Sequence, residues 1–569
     1  MAKNKRLSLL SLISIGIIFL FISLNKNTTI SAPEKIIILH TNDVHCQIDQ
    51  KKNKDEIVTN IGYAGVLAYK KEMENLHGIN NVTLVDAGDA IQGGPIGTLS
   101  KGEYIVDIMN YIGYDIACPG NHEFDYGMEN FLKLSTETSK ANYICCNFRD
   151  LEGNPILSPY TLIKYGDLTI AYLGINTPES FTKSSPIYFQ DENGNYIYDF
   201  AQGEKGQTLY KTVQKYVDEA IKEGANYVVA IGHLGDEGAS EYWSSKSLIK
   251  NTYGIDIFID GHSHEVYSEI LKNKKGKNVL LAQTGTKLQN LGKITINTKN
   301  KKITSEFISN YKAQDEDAVN YIEGIKNKFS DILQEVVVKS SVTLTTLDPT
   351  THKRAIRNSE TNLGDFCADA YRSIVGADIA FANGGGIRAD IEEGDITYEE
   401  IINVHPFGNE ICMIETTGQD ILDALEVGAC EYPIENGGFL QVSGLSYTID
   451  PSIPSSVVFN ERGQFVKVDG KYRVTEIIVG NEPLVLNKTY TLASHNYMIK
   501  NGGDGYTMFM DDKMIKDSVV IDNGALINYI TENLNGVIGD EYKNPKGNGR
   551  IIIKENTSSN SQEEIKNVA

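Results

Sequence analysis

At 569 residues, the chain is too long for one ordinary hydrophobic core, and two folded domains are expected. Its composition, 41% apolar and 22% charged, is that of a globular protein. The formal net charge of −22 repels polyanions, which excludes nucleic-acid polymers as partners. A small anionic substrate stays compatible with this charge, because metal ions and a few arginines can reverse the local field.

The N-terminus has the order of a secretory signal: basic residues, an apolar run from Leu7 to Leu24, and then polar residues. We therefore expect residues 1–32 to be a signal peptide. A retained signal anchor is the alternative, since the apolar run is about as long as a minimal membrane span. Either segment predicts an extracytoplasmic protein, whether secreted, periplasmic or bound to the cell surface. The polar tail at 555–569 is expected to be disordered.

From Lys35 to about Phe307, short apolar runs alternate with helical segments, which is typical of an α/β fold. Strands are predicted at Lys35–Leu39, Val82–Val85, Leu168–Leu173, Tyr227–Ile231, Asp256–Ile259 and Val279–Ala282. Polar side chains follow four of these strands, namely Asp43, His45, Asp89, His233, His262 and His264. Ligands of open α/β sheets bind outside the carboxyl ends of strands, so we expect these side chains to converge on one site.

Two longer motifs lie in the same region, Gly-Asn-His-Glu-Phe-Asp at Gly120–Asp125 and Gly-His-Ser-His at Gly261–His264. The short motifs Asp43-x-His45, Gly88-Asp89 and Gly232-His233 are each more often structural when they occur alone, and the two longer motifs are more specific. All five in one domain indicate a functional site. They supply Asp, Asn and His, the ligands that a pair of divalent metal ions needs. A carboxylate can bridge two ions, and Asp89 is the expected bridge. The pattern therefore predicts two-metal hydrolysis of a phosphate ester.

Apolar residues recur at three- and four-residue spacing from Val319 to Val336, behind an acidic start that suits a helix N-terminus. This spacing predicts a helix that connects two domains. The second domain is expected to run from about Ser340 to Lys554, with a helix beginning near Asn362 and a strand at Asp378–Ala382.

The motifs of the first half resemble the calcineurin-like metallophosphoesterase superfamily. They are Asp43-x-His45, Gly88-Asp89, Gly120-Asn121-His122-Glu123, Gly232-His233 and Gly261-His262-Ser263-His264. The motifs of the second half look like the C-terminal domain of the 5′-nucleotidase family, which includes bacterial UDP-sugar hydrolases and ecto-5′-nucleotidases. They are Thr361-Asn362-Leu363-Gly364-Asp365, Asn383-Gly384-Gly385-Gly386-Ile387-Arg388, Pro406-Phe407-Gly408-Asn409 and Gly502-Gly503-Asp504-Gly505-Tyr506.

This resemblance covers the chain from Lys35 to about Lys554 and implies its architecture. The implied fold class is α/β, with an N-terminal four-layer αββα metallophosphoesterase domain at 35–312. A linker helix at 313–338 and a C-terminal α/β nucleotide-binding domain at 339–554 follow. Family members bind substrate on the second domain, which rotates to deliver it to the first. We expect the hinge to lie near the linker helix.

The resemblance also implies two divalent metal ions, whether Zn, Mn, Co or Mg. One ion would be held by Asp43, His45, Asp89 and His264, and the other by Asp89, Asn121, His233 and His262. His122 matches the catalytic histidine, which stabilises the transferring phosphoryl group and the leaving oxygen. Asp125 matches the carboxylate that favours the charged imidazole and orients it. The implied reaction is in-line attack by metal-bound hydroxide, without a phosphoenzyme.

In the second domain, the resemblance implies six substrate-binding residues. Phe407 and Tyr497 match two aromatic residues that sandwich the base. Arg357 and Arg388 match arginines that contact phosphate, a task that suits a guanidinium group. The remaining two are Asn409, which matches a base-contacting amide, and Asp504, which matches a carboxylate that binds the ribose hydroxyls. A further basic position falls to either Lys353 or Arg354.

The leading prediction is an exported, metal-dependent 5′-nucleotidase that releases phosphate and nucleoside from nucleotides. A 2′,3′-cyclic-nucleotide 2′-phosphodiesterase with 3′-nucleotidase activity and a UDP-sugar hydrolase are the alternatives within the superfamily. Asp504 favours the 5′-nucleotide prediction, because it is placed to grip both free ribose hydroxyls. A non-catalytic surface protein that binds nucleotides is the alternative of another class, and the intact metal positions and His122–Asp125 pair count against it. The sequence leaves the oligomeric state open.

Overall fold

The computed structural model of the protein describes residues 31–236 and 241–554. The predicted signal segment lies outside this part of the chain, apart from its last two residues, as does the predicted disordered tail. No helix in the described ranges is both long enough and apolar enough to cross a membrane.

Two six-stranded sheets form the N-terminal region. The strands of sheet A are, in spatial order, Lys302–Ile308, Leu291–Asn297, Lys35–Thr41, Val82–Asp86, Ile116–Ala117 and Asn142–Tyr143. Those of sheet B are Val266–Lys272, Asn278–Thr284, Ile257–Ile259, Tyr227–His233, Leu168–Asn176 and Tyr160–Tyr165. All six predicted strands are present, and five extend one to three residues further toward their C-terminal ends.

The two sheets pack face to face between two layers of helices. Ile36 and Ile38 of sheet A share one core with Val229 and Ile231 of sheet B. The residues between them in sequence face the opposite sides, where helices cover each sheet, as the alternation of a strand requires. The helices are Gly62–His77, Pro95–Ser100, Glu103–Ile112, Met128–Lys133, Ser180–Lys183, Gln207–Lys222 and Ser245–Asn251. The arrangement is the four-layer αββα fold that the resemblance implies.

The connecting segment differs from the single helix predicted there. It contains a helix at Glu316–Lys326, a short helix at Ser330–Leu333 and then a strand at Val336–Ser340. The strand pairs with Gly394–Thr397, because a run of three valines favours extended backbone once a partner strand is available. Asp315 caps the N-terminus of the first helix, because its side chain accepts the N–H of Ala318.

The C-terminal region is also α/β, with its own cores. Its central five-stranded sheet contains Leu440–Ser443, Ile379–Asn383, Thr489–His495, Ile411–Thr417 and Lys513–Lys516. Alternate residues of Ile379–Asn383 enter cores on opposite faces of this sheet. Smaller sheets contain Gly394–Thr397, Val336–Ser340 and Val537–Ile538, then Glu482–Pro483, Val474–Val479, Leu445–Ile449 and Ile551–Ile553. The helices are Asn362–Val375, Tyr398–Val404, Gly418–Ala429, Asn496–Ile499 and Asp522–Asn533.

Candidate active site

The loops at the carboxyl ends of both sheets meet at one place, and their backbone is strained there. Five of the seven predicted metal ligands have a positive φ, between 45° and 83°; they are Asp43, His45, Asp89, His262 and His264. Residues other than glycine rarely adopt this conformation, and it clusters at functional sites where the surroundings enforce it. The strain therefore marks these loops as the functional centre of the N-terminal region.

Backbone contacts hold the loops in register. The N–H groups of Asp43 and His45 donate to the carbonyls of Gly88 and Asp89, each at 2.9 Å. Glycine is required at position 120, because a Cβ there would lie 2.3 Å from the Asp89 carboxylate.

The Glu123 carboxylate ties a second pair of loops together. It accepts the N–H groups of Asp89 and Ala90 at 2.8 Å and that of Gly120 at 2.5 Å. Glu123 thus joins the loop of the expected bridging ligand to the loop of Asn121. Sequence reasoning quoted Glu123 within its motif but assigned it no role.

Two buried polar atoms in this centre have no hydrogen-bond partner, and both fit a metal ion. They are Nε2 of His233 and Oδ1 of Asn121. His233 donates through Nδ1 to the Ala87 carbonyl at 2.7 Å, which leaves Nε2 as an electron-pair donor. That nitrogen lies 3.2 Å from Oδ2 of Asp89 and 3.9 Å from Oδ1 of Asp43.

A second set of donor atoms lies beside the first. His45 Nε2 lies 3.0 Å from His264 Nε2, which in turn is 3.3 Å from Oδ1 of Asp43. His45 Nδ1 contacts the Gln92 carbonyl at 3.0 Å, so its Nε2 is also free to donate electrons. The described residues thus contain two groups with metal-ligand spacing, Asp43 with His45 and His264, and Asp43 with Asp89 and His233.

The grouping differs in detail from the sets that the resemblance implies. Asp43 belongs to both groups, whereas Asp89 was the expected bridge. Asp89 still approaches both, since its Oδ2 lies 3.9 Å from His45 Nε2. His262 belongs to neither group but lies beside both, since its N–H donates to the Asp43 carboxylate at 3.0 Å and its ring centroid lies 5.1 Å from that of His233. Its Nε2 lies 3.3 Å from Oε2 of Glu179.

His122 and Asp125 form a close pair at the edge of this centre. His122 Nδ1 lies 2.6 Å from Oδ2 of Asp125, and the N–H of His122 donates to Oδ1 of Asp89 at 2.8 Å. Burial opposes the charged ring, but the Asp125 and Asp89 carboxylates outweigh burial and raise the pKa of His122. The pair therefore favours the protonated form of the imidazole next to the metal ligands.

A cavity of about 990 Å³ lies between these loops and the C-terminal region. Asp89, Asn121, His262 and His264 line one side, together with the His122–Asp125 pair, while the other three predicted metal ligands are buried. All six predicted substrate-binding residues line the cavity, namely Arg357, Arg388, Phe407, Asn409, Tyr497 and Asp504. The structure thus brings the predicted residues of both regions to one space.

Three arginines give one end of this cavity a positive charge despite the acidic chain. They are Arg354, Arg357 and Arg388, and of the two candidates for the further basic position only Arg354 lines the cavity. Burial and the neighbouring Arg354 lower the pKa of Arg388 to about 10, while carboxylates of the metal centre oppose this shift. The buried Nε of Arg357 has no hydrogen-bond partner. Such a cluster suits a phosphate group.

Asp504 and Tyr497 form another part of the cavity lining. The Tyr497 hydroxyl accepts the N–H of Asp504 at 3.0 Å and donates to the Thr182 carbonyl at 2.6 Å. Asp504 also accepts hydrogen bonds from Asn383 and Lys183, which sequence reasoning did not single out. Asn383 lies within a recognised motif, whereas no motif signals Lys183.

Comparison with known proteins agrees with this geometry. The family model for calcineurin-like phosphoesterases matches residues 36–266, and that for the C-terminal domain of 5′-nucleotidases matches 337–511. A trifunctional nucleotide phosphoesterase of Bacillus subtilis is 28% identical over 91% of this chain, which corresponds to 35% of that longer relative. A snake venom 5′-nucleotidase of Naja atra is 28% identical over 87% of this chain and 96% of its own length.

A solved structure shows the same fold over nearly the whole length. A 5′-nucleotidase precursor from Thermus thermophilus superposes with a TM-score of 0.75 and 25% sequence identity. The superposition covers 92% of this chain and all of the other one. The likeness therefore extends across both regions of the molecule.

Proposed function

Because this chain belongs to the 5′-nucleotidase family, with a calcineurin-like phosphoesterase domain before a 5′-nucleotidase C-terminal domain, we propose that it hydrolyses 5′-nucleotides to nucleoside and phosphate. One observation carries this proposal: a single cavity is lined by metal-type ligands on one side and by arginines, aromatic residues and a carboxylate on the other. We propose domain boundaries of 35–312, 313–338 and 339–554 with it.

Two divalent ions fit the donor atoms at this centre, which include unpartnered Asn121 Oδ1 and His233 Nε2. Asp43, His45, His264, Asp89 and His233 would hold them, with Asn121 and His262 as further ligands. When bound, such ions activate water and neutralise charge on phosphoryl oxygens. A set of carboxylate, amide and imidazole donors without thiolate accepts Zn, Mn, Co or Mg.

The chain's own residues would perform the remaining steps. Arg357 and Arg388 neutralise the phosphate as it enters the cavity, and their planar groups can donate two parallel hydrogen bonds. His122 then donates its Nε2 proton to the leaving 5′-oxygen of the nucleoside. Asp125 keeps that ring charged and oriented through the 2.6 Å contact with Nδ1. This transfer releases a neutral nucleoside.

The base and ribose of the nucleotide would contact other residues that line the same cavity. Phe407 and Tyr497 provide faces on which a base can stack, and Asn409 provides an amide. Asp504 provides a carboxylate for the ribose hydroxyls. The cavity volume of about 990 Å³ favours a second candidate activity, hydrolysis of a larger nucleotide such as a UDP-sugar, at the same site.

We also propose that the protein works outside the cytoplasm. The sequence order of a secretory signal at 1–32 supports export, and relatives of this chain include 5′-nucleotidases of snake venom. A mature protein released from or anchored to the membrane would meet nucleotides in that compartment.

One assay tests the proposal. Phosphate release is measured from 5′-AMP, 3′-AMP, 2′,3′-cyclic AMP and UDP-glucose, with and without a chelator, for wild type and His122→Ala. We expect release from 5′-AMP that a chelator abolishes and that His122→Ala lowers by about 100- to 10,000-fold. Activity that survives the chelator would exclude the metal mechanism, and cleavage of only the cyclic or 3′ substrates would exclude the 5′-nucleotidase assignment.

A further inference from the structure

Lys183 reaches from the N-terminal region into the substrate side of the cavity. It is the last residue of the short helix Ser180–Lys183, and its Nζ lies 3.1 Å from Oδ1 of Asp504. Neighbouring residues of the same segment also contact the C-terminal region. The Thr182 carbonyl accepts the Tyr497 hydroxyl, and Asn501 donates to the Ser185 hydroxyl at 2.9 Å. Lys183 is therefore held beside Asp504 by a set of inter-region contacts.

Asp504 is fixed by two contacts to its carboxylate and one to its backbone N–H. Lys183 approaches Oδ1, and the Asn383 amide donates to Oδ2 at 2.6 Å. The backbone N–H of Asp504 donates to the Tyr497 hydroxyl, which holds the left-handed turn with φ of 51°. An ionised carboxylate accepts about four hydrogen bonds, so the contacts with Lys183 and Asn383 leave acceptor capacity on the two oxygens. Two vicinal hydroxyl groups match that arrangement.

We propose that Lys183 is a specificity-determining residue, which the N-terminal region contributes to recognition of the ribose 2′- and 3′-hydroxyls. The inference rests on the proposed function, because it takes a nucleotide as the substrate. Lys183 acts through Asp504: it neutralises and orients the carboxylate that accepts the two hydroxyls. Lys183 and Asp504 come from different regions, so the complete ribose site exists only when the two regions are together.

The charges around the pair support this role. The Asp504 side chain is only 4% exposed, so its negative charge needs a nearby cation or several hydrogen bonds. Burial opposes the charge of Lys183, but Asp504, Glu179 and Glu431 outweigh burial and raise the pKa of the ammonium group. Lys183 is thus a permanent cation, and without it the carboxylate would lose both its neutralisation and one fixed hydrogen bond.

The test compares 5′-AMP with 2′-deoxy-5′-AMP for wild type, Lys183→Gln, Lys183→Arg and Asp504→Asn. We expect Lys183→Gln to reduce the preference in kcat/KM for the ribonucleotide about tenfold, mainly through KM, and Lys183→Arg to restore part of it. The Asp504→Asn variant should lose the same preference. Adding Lys183→Gln to it should cause little further loss, because Lys183 acts through that carboxylate.

Two controls separate the outcomes. Lys500→Gln removes a surface lysine that pairs with Asp517 at 2.8 Å outside the cavity, and its preference should equal that of wild type. Circular dichroism and thermal unfolding show whether each variant is folded, and hydrolysis of p-nitrophenyl phosphate, which has no ribose, should persist in wild type and Lys500→Gln. An unchanged preference in Lys183→Gln, or a wild type without any preference, would overturn the inference. A wild type that hydrolyses p-nitrophenyl phosphate but neither nucleotide would instead overturn the proposed function.

Discussion

At the scale of single residues, the candidate site is recognisable by buried side-chain atoms that have no hydrogen-bond partner. His233 Nε2 and Asn121 Oδ1 are buried without hydrogen-bond partners, although such atoms are almost always paired in folded proteins. Five predicted ligands have a left-handed backbone conformation. This conformation costs free energy, which another interaction at the site must offset. Both observations are explained if a metal ion completes the centre.

Glu123 should control metal affinity without touching the metal. Replacing it with Gln puts an amide –NH₂ where the carboxylate now accepts three backbone N–H groups, so the loops of Asp89 and Asn121 should separate. We expect affinity for Mn²⁺ or Zn²⁺, measured by titration calorimetry, to fall about 10- to 100-fold.

The matched control is Glu426→Gln. Glu426 is fully buried in the C-terminal region and accepts the N–H groups of Arg473 and Val474, each at 2.9 Å. Its replacement should lower thermal stability but leave metal affinity intact. Equal metal affinity in wild type and Glu123→Gln would show that Glu123 does not position the ligands.

Asp125 should act on the reaction through His122. In Asp125→Asn the carboxylate that raises the pKa of His122 is lost, so the imidazolium should deprotonate at lower pH. We expect kcat for 5′-AMP to fall about 10- to 100-fold with metal content unchanged, and the alkaline limb of the pH–rate profile to move to lower pH. A profile that superposes on that of wild type would exclude this coupling.

Phe407 should bind the base and contribute little to the chemistry. Phe407→Ala removes one stacking face, which is worth about 1–3 kcal/mol per base. We expect KM for 5′-AMP to rise about 5- to 100-fold while hydrolysis of p-nitrophenyl phosphate stays within about twofold of wild type. An equal loss for both substrates would mean that Phe407 supports the His122 ring, whose centroid lies 5.7 Å away.

At the scale of elements, the connecting segment divides between the two regions. Its first helix, Glu316–Lys326, buries Ala318, Ile322 and Ile325 in the core outside sheet A. Tyr321 of the same helix stacks on Tyr111 at 4.2 Å between ring centroids. The strand Val336–Ser340 instead belongs to a sheet of the C-terminal region. Any hinge between the regions should therefore lie at residues 327–335, after the first helix.

This division predicts which substitutions in the segment lower the stability of the N-terminal region. Ile325→Ala empties a position that is 4% exposed, so it should destabilise the N-terminal region by about 2–5 kcal/mol. Ile332→Ala, in the short second helix, changes a side chain that is 53% exposed and should cost under about 0.5 kcal/mol. Urea unfolding of both variants measures the difference. Similar losses would mean that the two helices are packed as one unit.

At the scale of the whole molecule, the cavity exists because two regions meet. Contacts across it join Thr98 to the Pro406 carbonyl, Asn501 to Ser185 and Lys183 to Asp504. Three of the nine arginines of this acidic chain, which has a net charge of −22, line the cavity at this meeting point. Turnover that delivers substrate by rotation of the second domain would have to break and re-form these contacts.

A cross-link tests that motion. Cysteines at Ser185 and Asn501, whose Oγ and Nδ2 atoms lie 2.9 Å apart between the two regions, are the pair to oxidise, and mass spectrometry verifies the disulfide before the assay. We expect multiple turnover of 5′-AMP to stop in the oxidised double variant, metal content to persist and reduction to restore activity. Each single cysteine variant is the control. Undiminished turnover in the verified cross-linked form would exclude rotation as a required step.

Local patterns predicted the elements well but not their exact ends. Apolar runs placed six strands of the N-terminal region, yet five extend further, to polar residues such as Thr41, Asp86 and His233. Hydrophobicity alone ends a strand at the first polar residue, whereas backbone pairing continues it. In the connecting segment the predicted element is too long. Its apolar spacing predicts a helix as far as Val336, but pairing with Gly394–Thr397 makes Val336–Ser340 a strand.

By itself, the sequence determined the α/β fold class and the residue types of a metal-assisted phosphate chemistry, because these depend on local patterns and motifs. Only the tertiary structure decided which atoms meet. It placed Asp43 in both ligand groups, His262 beside Glu179, and Lys183 against Asp504. These contacts join residues up to 321 positions apart, and only the packing of the sheets and of the two regions sets such distances.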